Sequence, residues 1–168
     1  EKPEFSTNLA LMHRLHPQRN TLVVVGDSTP AFANNLAALQ ANNRDLPQPF
    51  RLSILTPSTL DELRSQLAAI PSDALIFLMG RPRDEKGNLI TGPTTARFIR
   101  NHTHHPIYVG WDFFLGHGVV GGMLVSGEAQ GKALAGLLLR LVHGEPITAL
   151  PPVSASPNHY AFDYNELQ

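Results

Sequence analysis

Two uninterrupted apolar runs, residues 21–26 (TLVVVG) and 74–79 (ALIFLM), decide most of what this chain can become. A strand with one wet face alternates apolar and polar residues. A run apolar at every position belongs to a strand buried on both faces, as in a parallel sheet with helices above and below. The intervening segments agree with that reading. A leading helix carries Leu9, Met12 and Leu15 and stops at Pro17, and residues 32–41 read as a second helix. Residues 50–55 form another strand, and 59–69 a helix with Asp61 and Glu62 in its first turn and Ser58 as its N-cap. Residues 94–101 give a shorter helix, 107–109 a strand opened by Pro106, and 119–125 a fifth strand. The longest helix, 130–142, ends before Gly144 and Pro146. Strands alternating with helices predict an α/β fold: a three-layer sandwich around a mostly parallel sheet of about five strands, with right-handed crossovers. The organisation expected is a single α/β lobe over 1–168, comprising a leading helix (1–17), a strand–helix core (18–146) and an extended C-terminal tail (147–168). That tail is Pro-rich, then aromatic at Tyr160, Phe162 and Tyr164.

Composition narrows the function classes. Charged residues are 16% of the chain and the formal net charge is -1, so no basic stripe recommends nucleic acid as a partner. No apolar run reaches membrane-spanning length. Cysteine is absent, which removes disulfides, thiolate metal sites and cysteine nucleophiles. The start carries no signal-peptide pattern, so the numbering is expected to begin inside a longer product.

In parallel α/β sheets ligands sit beyond the carboxyl ends of the strands. That rule selects the loops Asp27-Ser28-Thr29-Pro30, Thr56-Pro57, Gly80-Arg81-Pro82-Arg83 and Gly110-Trp111-Asp112-Phe113. Within them Ser28 and Thr29 are placed to cap the next helix, with Asp27 facing the cleft. Arg81, a guanidinium directly after a buried strand, suits a carboxylate. Trp111 and Phe113 offer a stacking wall, and Asp112 an acceptor for an amino group. The candidate ligand-binding residues are therefore Asp27, Ser28, Thr29, Arg81, Trp111, Asp112 and Phe113.

Other chemistries fit less well. Gly26-Asp27-Ser28 is similar to the nucleophile block of SGNH-type esterases, but no Asp precedes a His by three residues, as the family's base requires, and the third strand is not followed by Gly-x-Asn-Asp. A serine hydrolase using Ser28 is the alternative reading. A receiver domain needs a phospho-accepting Asp after the third strand, where Met79-Gly80-Arg81 stands. Asp27-Ser28-Thr29 is a poor imitation of a flavodoxin phosphate loop. His102, His104 and His105 cluster, but no neighbouring carboxylate completes a metal site. Gly116, Gly118 and Gly121 follow no strand in the manner of a nucleotide fingerprint. Neither a metal nor another cofactor is expected.

The ordered set of motifs resembles a known family. Leu9-x-x-Met12-x-x-Leu15-His16-Pro17 precedes the first strand and Val25-Gly26-Asp27-Ser28 follows it. His105-Pro106-Ile107-Tyr108, Trp111-Asp112, Gly118-Val119-Val120-Gly121-Gly122, Gly131-x-x-x-Ala135, Leu141-x-x-Gly144-Glu145-Pro146 and Tyr160-x-Phe162-Asp163-Tyr164-x-x-Leu167 continue the series. Together they look like ABC-type substrate-binding proteins of the periplasmic-binding type I fold, in the branch used as sensor domains of bacterial histidine kinases and diguanylate cyclases. The resemblance implies one flavodoxin-like lobe of an extracytoplasmic clamshell, in a signal-transduction protein of the inner membrane or a transporter's solute-binding protein. It implies binding of an amino acid or similar metabolite, membrane contact only through the parent protein, and no enzymatic activity in this domain. A first lobe of comparable size would precede such a chain. The helix over 128–143 is apolar around a wide arc and packs on that lobe in the family. Here it must fold back onto the sheet or meet a second copy, and the expectation is a homodimer or swapped pair through Leu134, Leu138 and Leu141.

Overall fold

A computed structural model describes residues 2–84, 86–150 and 157–167. Its strands are β1 (Thr21–Val25), β2 (Arg51–Leu55), β3 (Ala74–Leu78), β4 (Ile107–Val109), β5 (Gly121–Leu124) and β6 (His159–Phe162). They form one sheet in the order β2-β1-β3-β4-β5-β6. The first five strands run parallel, and β6 returns antiparallel along β5. The helices are α1 (Phe5–Leu15), α2 (Pro30–Arg44), α3 (Leu60–Leu67), α4 (Gly92–His102) and α5 (Gly127–Val142).

The apolar runs do what their patterning requires. Every residue of β1 and β3 is buried, and successive side chains enter opposite cores. Leu22, Val24, Leu75, Phe77 and Tyr108 meet Phe5, Leu9 and Met12 of α1 and Phe32 and Leu39 of α2. Val23, Val25, Ile76, Leu78 and Val109 meet Leu63 and Leu67 of α3 and Ala96 and Ile99 of α4. The result is the expected three-layer α/β sandwich with a mostly parallel sheet.

Several local expectations change. The tail contributes a sixth strand, because Gly121 to Leu124 lacked an outer partner and residues 159–162 supply one. Residues 151–156 of that tail lie outside the described residues. The fifth strand begins at Gly121 and not at residue 119. There Gly121 and Gly122 adopt φ of 112° and 147°, a backbone that side chains disfavour. A Cβ on Gly122 would lie 2.3 Å from Oδ1 of buried Asn8. That closeness lets Asn8 bridge α1 to β5, donating to the Met123 carbonyl and accepting from its N–H, both at 2.9 Å. Thr59, not Ser58, caps α3, its hydroxyl accepting from the Glu62 N–H at 3.2 Å while the Glu62 carboxylate accepts from the Ser58 N–H at 2.8 Å. Helix α5 starts three residues earlier than its apolar pattern does, capped by Ser126.

Candidate functional site

The site begins where the three central strands stop. β1, β3 and β4 are followed by Gly26, Gly80 and Gly110, all buried. A Cβ on Gly80 would lie 2.2 Å from the Gly26 carbonyl carbon and 2.4 Å from the Asp27 nitrogen, so the first and third loops touch backbone to backbone. The Asp27 carboxylate locks this contact. One oxygen accepts from the Arg81 N–H at 3.1 Å, and the other from the N–H and hydroxyl of Thr29 at 2.9 and 2.5 Å. Thr29 is the N-cap of α2, its hydroxyl accepting from the Phe32 N–H at 3.1 Å. Asp27 thus faces the cleft as expected, but both of its oxygens already serve main-chain and hydroxyl donors. It holds the two loops in register.

Two concavities adjoin this latch and a third lies next to the first of them. The central one, about 330 Å³, is lined by Asp27, Thr29, Arg81, Trp111 and Phe113 together with Phe32, Asn35, Met79 and Phe114. Its volume and mixed lining suit a small molecule. Half-buried Trp111 is paired with Val125 through a β-bridge, and its ring stacks with Phe113 at 6.4 Å and 29°. Phe113 is exposed while Phe114 turns into the core. A smaller pocket, about 90 Å³, lies on the other side of Asp27 and Arg81, between the loops after β1, β2 and β3, and Ser28 belongs to it. A third, open space of about 620 Å³ is lined by Asp112, Ser126, Glu128, Lys132 and His159 and shares Phe113 with the central cleft.

The structure therefore brings Asp27, Thr29, Arg81, Trp111 and Phe113 into one cleft and sets Ser28 and Asp112 to either side. Asp112 does not line the cleft beside Trp111, because a 3-10 turn at Asp112–Phe114 swings the carboxylate towards the start of α5. Ser28 does not cap α2; Thr29 does. Phe32, Asn35 and Met79 were not anticipated. The signal for the first two was available, since the first turn of a helix that follows a buried strand shares that strand's ligand-facing end.

Two members of the histidine cluster are engaged locally. His102 Nδ1 bonds the Phe98 carbonyl at 2.8 Å, and its ring stacks on Phe98. His105 lies between the Thr103 hydroxyl and the Pro71 carbonyl. Among the described residues no group of three or more potential metal ligands converges.

No family model matches the chain, and no curated protein matches it in sequence. Among solved structures it is similar to the ligand-free, open form of CD0873, a substrate-binding protein with adhesive properties from Clostridium difficile, with a TM-score of 0.70 at 14% identity. The match covers 95% of this chain and 52% of that protein, so the chain spans about half its length. The chain shares the α/β fold of about half of that protein.

Proposed function

We propose that this chain is a small-molecule-binding lobe, taking an amino acid or similar metabolite at the carboxyl ends of β1, β3 and β4. The observation that carries the reading is the cleft that Arg81, whose side chain has no partner among the described residues, lines together with Trp111 and Phe113. A cation with no partner among the described residues, in a cleft also lined by two aromatic rings, suits a carboxylate-bearing ligand with an apolar or aromatic body. The likeness to a substrate-binding protein supports binding over catalysis. The hydrolase alternative finds less support. Ser28 Oγ has no hydrogen-bond partner among the described residues, and no histidine lines its pocket, whereas a serine nucleophile needs a base within reach.

By this reading the lobe works outside the cytoplasm, within a bacterial sensor kinase, a diguanylate cyclase or the solute-binding protein of an ABC transporter. Its cleft is one wall of a clamshell. α5 supports the idea of a second wall: none of its residues is buried, and Leu134, Leu138 and Val142 are 58%, 52% and 79% exposed. Covering each leucine is worth roughly 1.5–3 kcal/mol. A second copy of the chain is the cover we propose.

Trp111 is the chain's only tryptophan, so its fluorescence reports the cleft directly. Titration with a panel of amino acids should change the emission saturably for at least one of them. Trp111→Ala should weaken binding by about 1–3 kcal/mol, followed by calorimetry. Unchanged affinity in that variant would return Trp111 to a purely structural role, and ester hydrolysis abolished by Ser28→Ala would favour the enzyme.

A further inference from the structure

The small pocket next to the cleft collects several side-chain hydrogen-bond donors that have no partner among the described residues. It is bounded by Ser28 after β1, Thr56 and Ser58 after β2, and Arg81 and Arg83 after β3. Among the described residues the side chains of Ser28, Thr56, Ser58 and Arg81 have no hydrogen-bond or ionic partner. Arg83 spends one N–H on the Gly87 carbonyl at 2.7 Å, and its guanidinium has further donors to offer. Its backbone N–H donates to the Ser58 carbonyl at 3.0 Å and it forms bridges with Thr59 and Leu89, so its place at the pocket wall is fixed. The one carboxylate in the wall, Asp27, is already taken up by the Thr29 and Arg81 donors. Glu62 is likewise engaged, by the Ser58 N–H and the Gln66 amide.

Two arginines and several hydroxyl-bearing residues lining one concavity, against one saturated carboxylate, make a surface for an oxyanion. The volume, about 90 Å³, is roughly that of three waters in the liquid and suits a small ionic group. Arg81 lines both this pocket and the 330 Å³ cleft. We infer that the small pocket is an oxyanion subsite opening off the cleft. The ligand is bipartite, with an apolar or aromatic body against Trp111 and Phe113 and a terminal carboxylate or phosphate between Arg81 and Arg83. This rests on the reading of the cleft as the ligand site, and it makes Arg83, Ser28, Thr56 and Ser58 specificity determinants; the strand-end rule had selected the loops of the first three, and Ser58 lies one residue beyond the loop after β2.

The test uses inorganic phosphate and acetate as anion probes and indole as a neutral ring probe, followed by NMR on the isotope-labelled chain. Phosphate or acetate at millimolar concentration should shift the Arg81 and Arg83 Nε–H signals and the Ser28 and Ser58 amides. The more strongly bound anion identifies the terminal group. Arg83→Gln should weaken that binding roughly tenfold, the loss of one charge-assisted contact, while indole still shifts the Trp111 and Phe113 signals as in the parent. Indole binding with no response to either anion, or an anion response unaffected by Arg83→Gln, overturns the subsite and leaves the cleft reading intact. No response to any of the probes overturns both.

Discussion

Gly80→Ala is the most severe small change this architecture should feel. Gly80 donates its N–H to the Val25 carbonyl at 3.0 Å, and its α-carbon rests against the turn after β1. The atoms a new Cβ would meet are the Gly26 carbonyl carbon at 2.2 Å, the Asp27 nitrogen at 2.4 Å and the Gly26 α-carbon at 2.5 Å. Extra methylenes in a packed interior cost about 1–3 kcal/mol when neighbouring side chains can shift. Here every close atom is main chain at the end of a buried strand, so a value near 3 kcal/mol is expected. For a domain of this size that lowers Tm by about 6–12 °C, at 2–4 °C per kcal/mol. The same movement would part the Arg81 N–H from Asp27 and weaken ligand binding. Gly136→Ala is the control: it lies within α5 with nothing within 4 Å of the added carbon, and should stabilise by about 0.5–1 kcal/mol. Circular dichroism melts of the parent and both variants decide the matter. A Gly80→Ala protein melting within about 2 °C of the parent would refute the loop-on-loop contact.

Three further outcomes follow from particular contacts. Buried Tyr108 and half-buried His16 share a 2.8 Å hydrogen bond; burial pushes the Tyr108 phenol up to about 12, while burial and then Arg19 hold the His16 imidazole below its usual value. The native state thus prefers both groups neutral: stability should fall below about pH 6.5 as the unfolded chain takes up the His16 proton, and again between about pH 10 and 12 as the unfolded chain loses the Tyr108 proton. Urea unfolding across pH checks this, and Tyr108→Phe should flatten the alkaline arm alone. Asn8→Ala strands the N–H and carbonyl of Met123 and should cost about 2–4 kcal/mol by the same denaturation assay, with no cost meaning that α1 is held by its apolar contacts alone. If α5 pairs with a second copy, sedimentation at micromolar concentration gives a dimer and Leu138→Glu a monomer; a parent monomer would remove the pairing.

The parts of the fold legible in the sequence were those where one physical demand dominates. Residues apolar at every position, as in β1 and β3, have no alternative to burial on both faces, and Pro17 and Pro106 set boundaries by geometry. β6 was not legible as a strand. His159 to Phe162 reads as a short polar-aromatic stretch, and its pairing with β5 is a contact between segments the pattern of either cannot reveal. Caps were legible in kind but not always in position: Ser58 and Thr59 are chemically equivalent candidates, and the reciprocal bond from Glu62 decides between them. The strand-end rule found the cleft through Arg81 and Trp111. It could not foresee that Asp27 would be consumed in a latch, since that depends on how closely Gly80 approaches Gly26. Nor could it foresee that a single 3-10 turn would separate Asp112 from Trp111.

Mapping amide chemical-shift changes with the tightest-binding amino acid of the fluorescence panel tests the proposed site most directly. The largest changes should fall at Thr29, Arg81, Trp111 and Phe113, around one cleft at the carboxyl end of the sheet, with the opposite end near His16 and Asp73 unmoved. Changes centred on that opposite end, or none at any of the four cleft residues, would contradict it.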